Sequence, residues 1–199
     1  LPTQPAPSPN LDTTTPAGAA AGRLDAQLTP ARFEIEGVNA LPFSEVAQLF
    51  APLAGKPATV GQLAALAREA TARYHAAGYP LSFVYLPEQD FAGGVVRVVA
   101  VEGHIASVRI EGDAGAAEPK LREIAERLQA EQPLRLSTFE RATQLMSRLP
   151  GLNVVAEAAM PTTTDGAAPL TLKVKREPYN VWLGAEVCQA TSRLGVSGR

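Results

Sequence analysis

The chain has 199 residues, 46% hydrophobic and 19% charged, a balance that suits a folded protein and excludes a disordered one. Net charge is -2, with six Lys and Arg against nine Asp and Glu up to Gly103 and twelve against eleven beyond it. Neither half is the cationic surface that phosphate backbones require, so nucleic acid is excluded as a partner class.

The single cysteine, Cys188, rules out an internal disulfide framework and a multi-cysteine zinc site. It is compatible with a periplasmic as well as a cytosolic protein. No apolar run reaches the ~18 residues of a transmembrane helix. The chain begins at Leu1 without a basic or apolar leader, which leaves two expectations, no signal peptide or one already removed, and the missing Met favours removal or trimming.

Residues 1–30 are rich in Pro, Thr, Ala and Gly with no sustained apolar period. Such a stretch cannot bury enough surface to offset its ordering entropy and reads as an extended, mobile linker. Its PxP and PxxP spacings are too loose for a Pro-rich recognition ligand.

A strand opens at Arg32, with Phe33, Ile35 and Val38 as its apolar residues and Glu34 and Glu36 facing outward. A helix follows Pro42, with Val46, Leu49, Phe50 and Leu53 on one face, and ends at Gly55. Thr59 and Gln62 have capping-box spacing ahead of a second helix whose stripe is Leu63, Leu66, Ala67, Ala70 and Tyr74. Gly78 stops it. An edge-like strand, Leu81 to Leu86, is joined by a Pro-containing turn, Pro87 to Gly94, to the more apolar strand Val95 to Val101.

This β-α-α-β-β order then repeats. His104 to Gly112 predicts a strand that ends in Gly112 as the first ends in Gly37. A helix spans Pro119 to Leu128, with Leu121, Ile124, Ala125 and Leu128 on one face. Ser137, in the place of Thr59, starts another with Glu140 as the capping-box partner, and that helix ends at Leu149-Pro150-Gly151. The strand from Leu152 leads to Pro161, in the place of Pro87, and Leu170 to Arg176 is the last strand. Three landmarks in near register predict two copies of one small domain, 31–103 and 104–177, fused as beads with a modest interface.

Residues 178–199 do not begin a third copy. Val181, Leu183, Ala185 and Val187 alternate as in the first strand of a membrane barrel, while a frayed extension accounts for the tail equally well.

The landmarks carry a resemblance. Tyr74, Gly78-Tyr79, Leu86-Pro87-x-Gln89, Gly94-Val95-Val96-x-Val98, Val101-Glu102-Gly103 and Ile105 stand in the first copy and its exit. Phe139-Glu140-Arg141, Arg148-Leu149-Pro150-Gly151, Val154, Pro161, Gly166 and Leu170 stand in the second. Together they resemble the paired POTRA (polypeptide-transport-associated) domains of two-partner secretion transporters of the haemolysin-activator type.

The resemblance implies an α+β fold of two tandem POTRA domains. Each would have a three-stranded mixed sheet with two helices on one face, and the pair would be followed by the start of a transmembrane β-barrel that this chain lacks. It implies a transporter of a Gram-negative outer membrane, with this region in the periplasm. The partners would be a secreted exoprotein, held through its N-terminal secretion domain, and the protein's own C-terminal barrel, which would supply the membrane contact. The chain would then be a piece of a longer one. The usual Asn- and Gly-containing start of the first barrel strand is blurred around Val187 to Gly195, and residues 1–30 show no convincing barrel-plugging helix.

A sheet with helices on one face leaves an edge to which an extended partner adds as a strand. The candidate edges are Leu81, Ser82, Phe83, Val84 and Tyr85 in the first copy and Val154, Val155, Ala156 and Glu157 in the second. Phe83 and Tyr85 share a side that faces either the core or a groove, and aromatic residues on a strand favour the core. Arg97 reads as a solvated face, Glu102-Gly103-His104 as the turn that sets the angle between copies, and Arg141 and Arg148 as one helix face.

His75 and His104 are the only histidines. No nucleophile elbow, metal-binding pattern or phosphate-binding loop accompanies them, so neither catalysis nor a cofactor nor a metal is expected. The competing reading is a POTRA scaffold of an outer-membrane assembly or envelope complex, against which two units and the L-P-x-Q motif argue.

Overall fold

The computed structural model describes residues 10–11 and 24–177. Strands are β1 (Asn10–Leu11), β2 (Gln27–Leu28), β3 (Arg32–Glu36), β4 (Ala58–Thr59), β5 (Phe83–Tyr85), β6 (Val95–Val101), β7 (His104–Gly112), β8 (Leu152–Ala158) and β9 (Ala167–Arg176). Helices are α1 (Phe43–Phe50), α2 (Val60–Ala76), α3 (Glu118–Gln129) and α4 (Leu136–Ser147). The barrel-like alternation expected after residue 177 lies outside the described residues.

The repeat read from the sequence is a repeat of topology. In the first unit the sheet order is β3-β6-β5, with β3 parallel and β5 antiparallel to β6. In the second, β7 is parallel and β8 antiparallel to β9. Gly37 and Gly112 do the same work at the ends of β3 and β7. Both have positive φ, and a Cβ on either would overlap a carbonyl oxygen of the central strand, that of Ala100 or Val174.

Local signals explain α2 well. The Thr59 hydroxyl accepts from Gln62 N–H at 3.2 Å while Gln62 Oε1 accepts from Thr59 N–H at 3.0 Å, a closed capping box. At the other end Tyr79 N–H donates to the Tyr74 carbonyl and Gly78 N–H to that of His75, both at 3.0 Å, the paired bonds of a Schellman ending.

The expected capping box at Ser137 and Glu140 does not form. α4 begins at Leu136, after Arg135 as N-cap without a side-chain capping bond. Its first turn is satisfied from outside the helix, by Leu136 N–H donating to the Gly78 carbonyl of the first unit at 2.8 Å. Local spacing cannot register a partner that lies in the other copy.

Alternation along the strands places the core. Val96, Val98 and Ala100 of β6 and Val84 of β5 face α1 and α2, joining Val46, Phe50, Leu63, Ala67 and Tyr74 in one cluster. The opposite residues, Phe83, Tyr85, Val99 and Val101, belong instead to the cluster of the second unit, with Leu121, Leu134, Phe139, Met146 and Leu170. The helix-free face of the first sheet is therefore covered by its neighbour. One of the two apolar clusters thus spans both units, which do not merely touch as beads, because the large side chains on that face would otherwise meet water.

Part of the expected linker is also held in place. β2 pairs antiparallel with β4, and the Leu24 and Ala26 carbonyls accept from Gly61 and Val60 at the start of α2. Further back, β1 pairs parallel with β8.

Candidate functional site

The two candidate edges have opposite fates. β5 is the edge of the first sheet, and its outer side is closed. In a three-residue antiparallel strand whose ends bond inward, only the middle residue points its N–H and C=O outward. That residue is Val84, and its N–H donates to the Thr71 hydroxyl of α2 at 2.9 Å, with the carbonyl 3.4 Å from the same oxygen. Next to it, His75 Nε2 lies 3.1 Å from the Ser82 carbonyl; a carbonyl only accepts, so Nε2 is the donor of this contact.

Leu81, Ser82, Phe83 and Val84 are buried and Tyr85 half-buried. Leu81 and Ser82 lie in the turn before the strand, with Ser82 N–H bonded to the Tyr79 carbonyl. The backbone N–H of Val84 and the carbonyl of Ser82 are thus engaged by α2, a helix lying over a strand edge. A hydroxyl on the buried side of α2, at the spacing of the apolar stripe, was the signal for this.

In the second sheet β8 lies between β9 and the two-residue β1. Val154 and Ala156 are buried towards the helices, and Val155 and Glu157 are half-buried on the outer face. Glu157 is tied to Lys173 of β9 at 2.7 Å, and this carboxylate raises the Lys173 pKa through a hydrogen bond and its charge. On the side away from β9, β1 sits opposite Glu157 and Ala158 only. Among the described residues nothing else pairs there.

The motif residues are structural, and their chemistry is legible. Continuing the β5–β6 register would set Pro87 opposite Arg97, where proline has no N–H to give. Gln89 supplies the missing pair: its Nε2 donates to the Arg97 carbonyl at 2.8 Å and its Oε1 accepts from Arg97 N–H at 2.7 Å. A side-chain amide thus imitates the next residue of the strand. Gly94 begins the return, its carbonyl accepting from Ala31 and Arg32 at the start of β3.

Glu102 Oε1 accepts from Asn39 N–H (2.7 Å), Ala40 N–H (2.6 Å) and the Tyr74 hydroxyl (3.1 Å). Burial first, and the adjacent Glu102 charge second, push the Tyr74 phenol well above its ordinary range. Gly103 binds both units. Its N–H donates to Ser82 Oγ at 3.2 Å and its carbonyl accepts from Leu134 at 2.9 Å, while His104 N–H donates to Gly166 at 2.8 Å. A Cβ at Gly103 would overlap the Leu81 carbonyl oxygen. Pro150 and Gly151 form the turn from α4 into β8, and the Gly151 carbonyl accepts from Glu177. Arg141 and Arg148 are exposed on α4 and at its end, and Arg97 pairs with Glu36 at 3.3 Å.

An open cleft of about 710 Å³ lies at the junction, lined in part by Asn39, Tyr79, Glu102, His104, Glu131 and Asp165. Its acids are engaged by their own chain. Besides the three bonds to Glu102, Asp165 accepts from the Thr163 hydroxyl and from Ala167 N–H, and the hydroxyl bond, ahead of the backbone one, holds its pKa low. Among the described residues no group of three or more His, Cys, Asp or Glu is arranged to hold a metal, and no helix is long and apolar enough to cross a membrane.

Two mixed sheets built on the same three-strand pattern, each with a helix pair on one face and a β-α-α-β-β order, define a tandem of POTRA-type folds. Residues 28–103, which span the first unit, match the POTRA domain of the ShlB type. Over 84 residues, 42% of this chain, the sequence is 32% identical to the outer membrane transporter CdiB of Escherichia coli O6:K15:H31 (strain 536 / UPEC). That stretch covers 14% of the relative.

Among solved structures, CdiB from Escherichia coli is similar at a TM-score of 0.62 and 26% identity, covering 86% of this chain and 31% of that one. The N-terminal domain of Omp85 from the thermophilic cyanobacterium Thermosynechococcus elongatus shares the fold, with a TM-score of 0.52 at 18% identity over 76% of this chain and 67% of that one. The curated relatives are transporters by name, and this chain spans only a small part of their length.

Proposed function

We propose that these two units are the periplasmic part of an outer-membrane two-partner secretion transporter. In this reading they receive the N-terminal secretion domain of a dedicated exoprotein, still extended, and pass it to a C-terminal barrel. The observation that carries the proposal is the edge of β8. It already accepts a parallel strand from elsewhere in the chain, and among the described residues nothing else pairs on that side. Main-chain bonds along such an edge hold an extended client whatever its sequence, and alternate side chains add selectivity beside α4. The likeness to CdiB over most of the chain supports the choice of client class.

The first unit takes a different role in this reading. With its edge shut by Thr71 and its free face buried on the neighbour, it holds the second unit in one orientation and presents no site of its own. Rigid placement of a binding element lowers the ordering cost of association.

Titration of the chain with the secretion domain of the exoprotein encoded beside it, added from denaturant, tests the reading. Expected are saturable binding and new protection from hydrogen exchange along β8, with none along β5. Val155→Pro, checked for retained fold by circular dichroism, should weaken binding. Binding without any change at β8 would overturn the strand-addition mechanism, and no binding would overturn the client reading in favour of a scaffold.

A further inference from the structure

β1 is a strand of two residues drawn from a stretch whose sequence has no sustained apolar period. It lies parallel to β8, with Asn10 opposite Glu157 and Leu11 opposite Ala158. A strand edge carries a single row of donors and acceptors, so a segment placed there excludes any other over the same residues. Parallel pairing is the weaker kind per residue, and two residues make few bonds, so the contact is easily lost. Being part of the same chain, however, β1 meets the edge at an effective concentration that no dilution reduces.

We infer that Asn10–Leu11 is an internal occupant of the β8 edge, which an incoming extended segment must displace before it can pair along the whole strand. The inference rests on the proposed function in one respect, that the partner adds at β8. The occupancy itself stands on the pairing alone.

Occupancy lowers apparent affinity by the fraction of time the edge is free. An edge free one-tenth of the time binds about tenfold more weakly than an open one. The occupant thus selects for clients with a strand long enough to gain bonds along Leu152 to Ala156 before reaching Glu157. A short adventitious peptide, which gains only what β1 loses, is kept out.

The test uses the full 199-residue chain and its variants Leu11→Pro and Asn10→Pro/Leu11→Pro, which break the added strand without touching either unit. Amide exchange is read first, without client. Faster exchange in the variants confined to Val155–Ala158 is expected, and identical exchange would overturn the inference whatever a client does. Calorimetry with the secretion domain follows. Affinity raised about tenfold in the variants supports displacement. Unchanged affinity, with exchange already faster, overturns it while leaving client binding intact. Binding by neither form overturns the client reading, and the gating role with it.

Discussion

The hydroxyl of Thr71 lies 2.9 Å from the backbone nitrogen of Val84 and bonds back to the Ala67 carbonyl at 3.0 Å. One side chain on α2 thereby closes the only outward backbone position of β5. It also explains a difference between two units of the same topology: one sheet ends in a sealed edge and the other in an edge that takes a strand.

Replacing Thr71 by Val keeps the shape and removes the partner, leaving the Val84 N–H buried without an acceptor. The cost should be about 1–3 kcal/mol, seen as a lower urea midpoint at unchanged slope. Thr71→Ser should recover most of it. A loss equally large in the Ser variant would show that the methyl group, and not the hydrogen bond, holds the edge.

Gly103 has no room for a side chain. Its Cβ would overlap the Leu81 carbonyl oxygen and stand 2.6 Å from the Leu81 Cβ, so backbone must move. Gly103→Ala should destabilise by about 1–3 kcal/mol or more. Because Gly103 bonds to Ser82 and Leu134, backbone shifts should appear in both units by NMR; changes limited to one would contradict its role as the shared hinge point.

Tyr74 gives the fold a pH dependence at the alkaline end. The folded pKa is raised above the ordinary 10.0, so the folded state holds the phenol proton more tightly than the unfolded chain. Its contribution is complete below pH 10.0 and is lost as pH rises beyond it. Tyr74→Phe should flatten the fall in stability above pH 10.0 relative to the parent. Parallel pH profiles for the two proteins would argue against the shift.

Phe83 tests the coupling of the units. It is buried in the cluster that contains Leu134 and Phe139, whereas its neighbour Val84 points into the cluster of α1 and α2. Phe83→Ala should cost about 3–5 kcal/mol and raise exchange in α4 and β9 of the second unit. Val84→Ala should act first on α2 and β6. The same pattern from both would mean that the faces are not distinct.

Much of this was legible in one dimension. Apolar alternation in β6, the capping box at Thr59 and Gln62 and the recurrence of Gly37 as Gly112 are local or periodic facts. They determine element type, order and the repeat because they act through neighbouring backbone geometry. The aromatic pair Phe83 and Tyr85 could be placed on one side of its strand, but not against a particular surface.

Tertiary structure alone decided the rest. The closure of β5 needs Thr71 brought beside Val84, the start of α4 needs the Gly78 carbonyl, and the occupied end of β8 needs Asn10 and Leu11 beside Glu157 and Ala158. Each joins groups that are not neighbours in the chain, through bonds made wholly or in part by backbone atoms that every residue carries. Apart from the Thr71 hydroxyl at the stripe spacing of α2, such partners leave no mark on composition or period. They exist only once packing has brought the segments together.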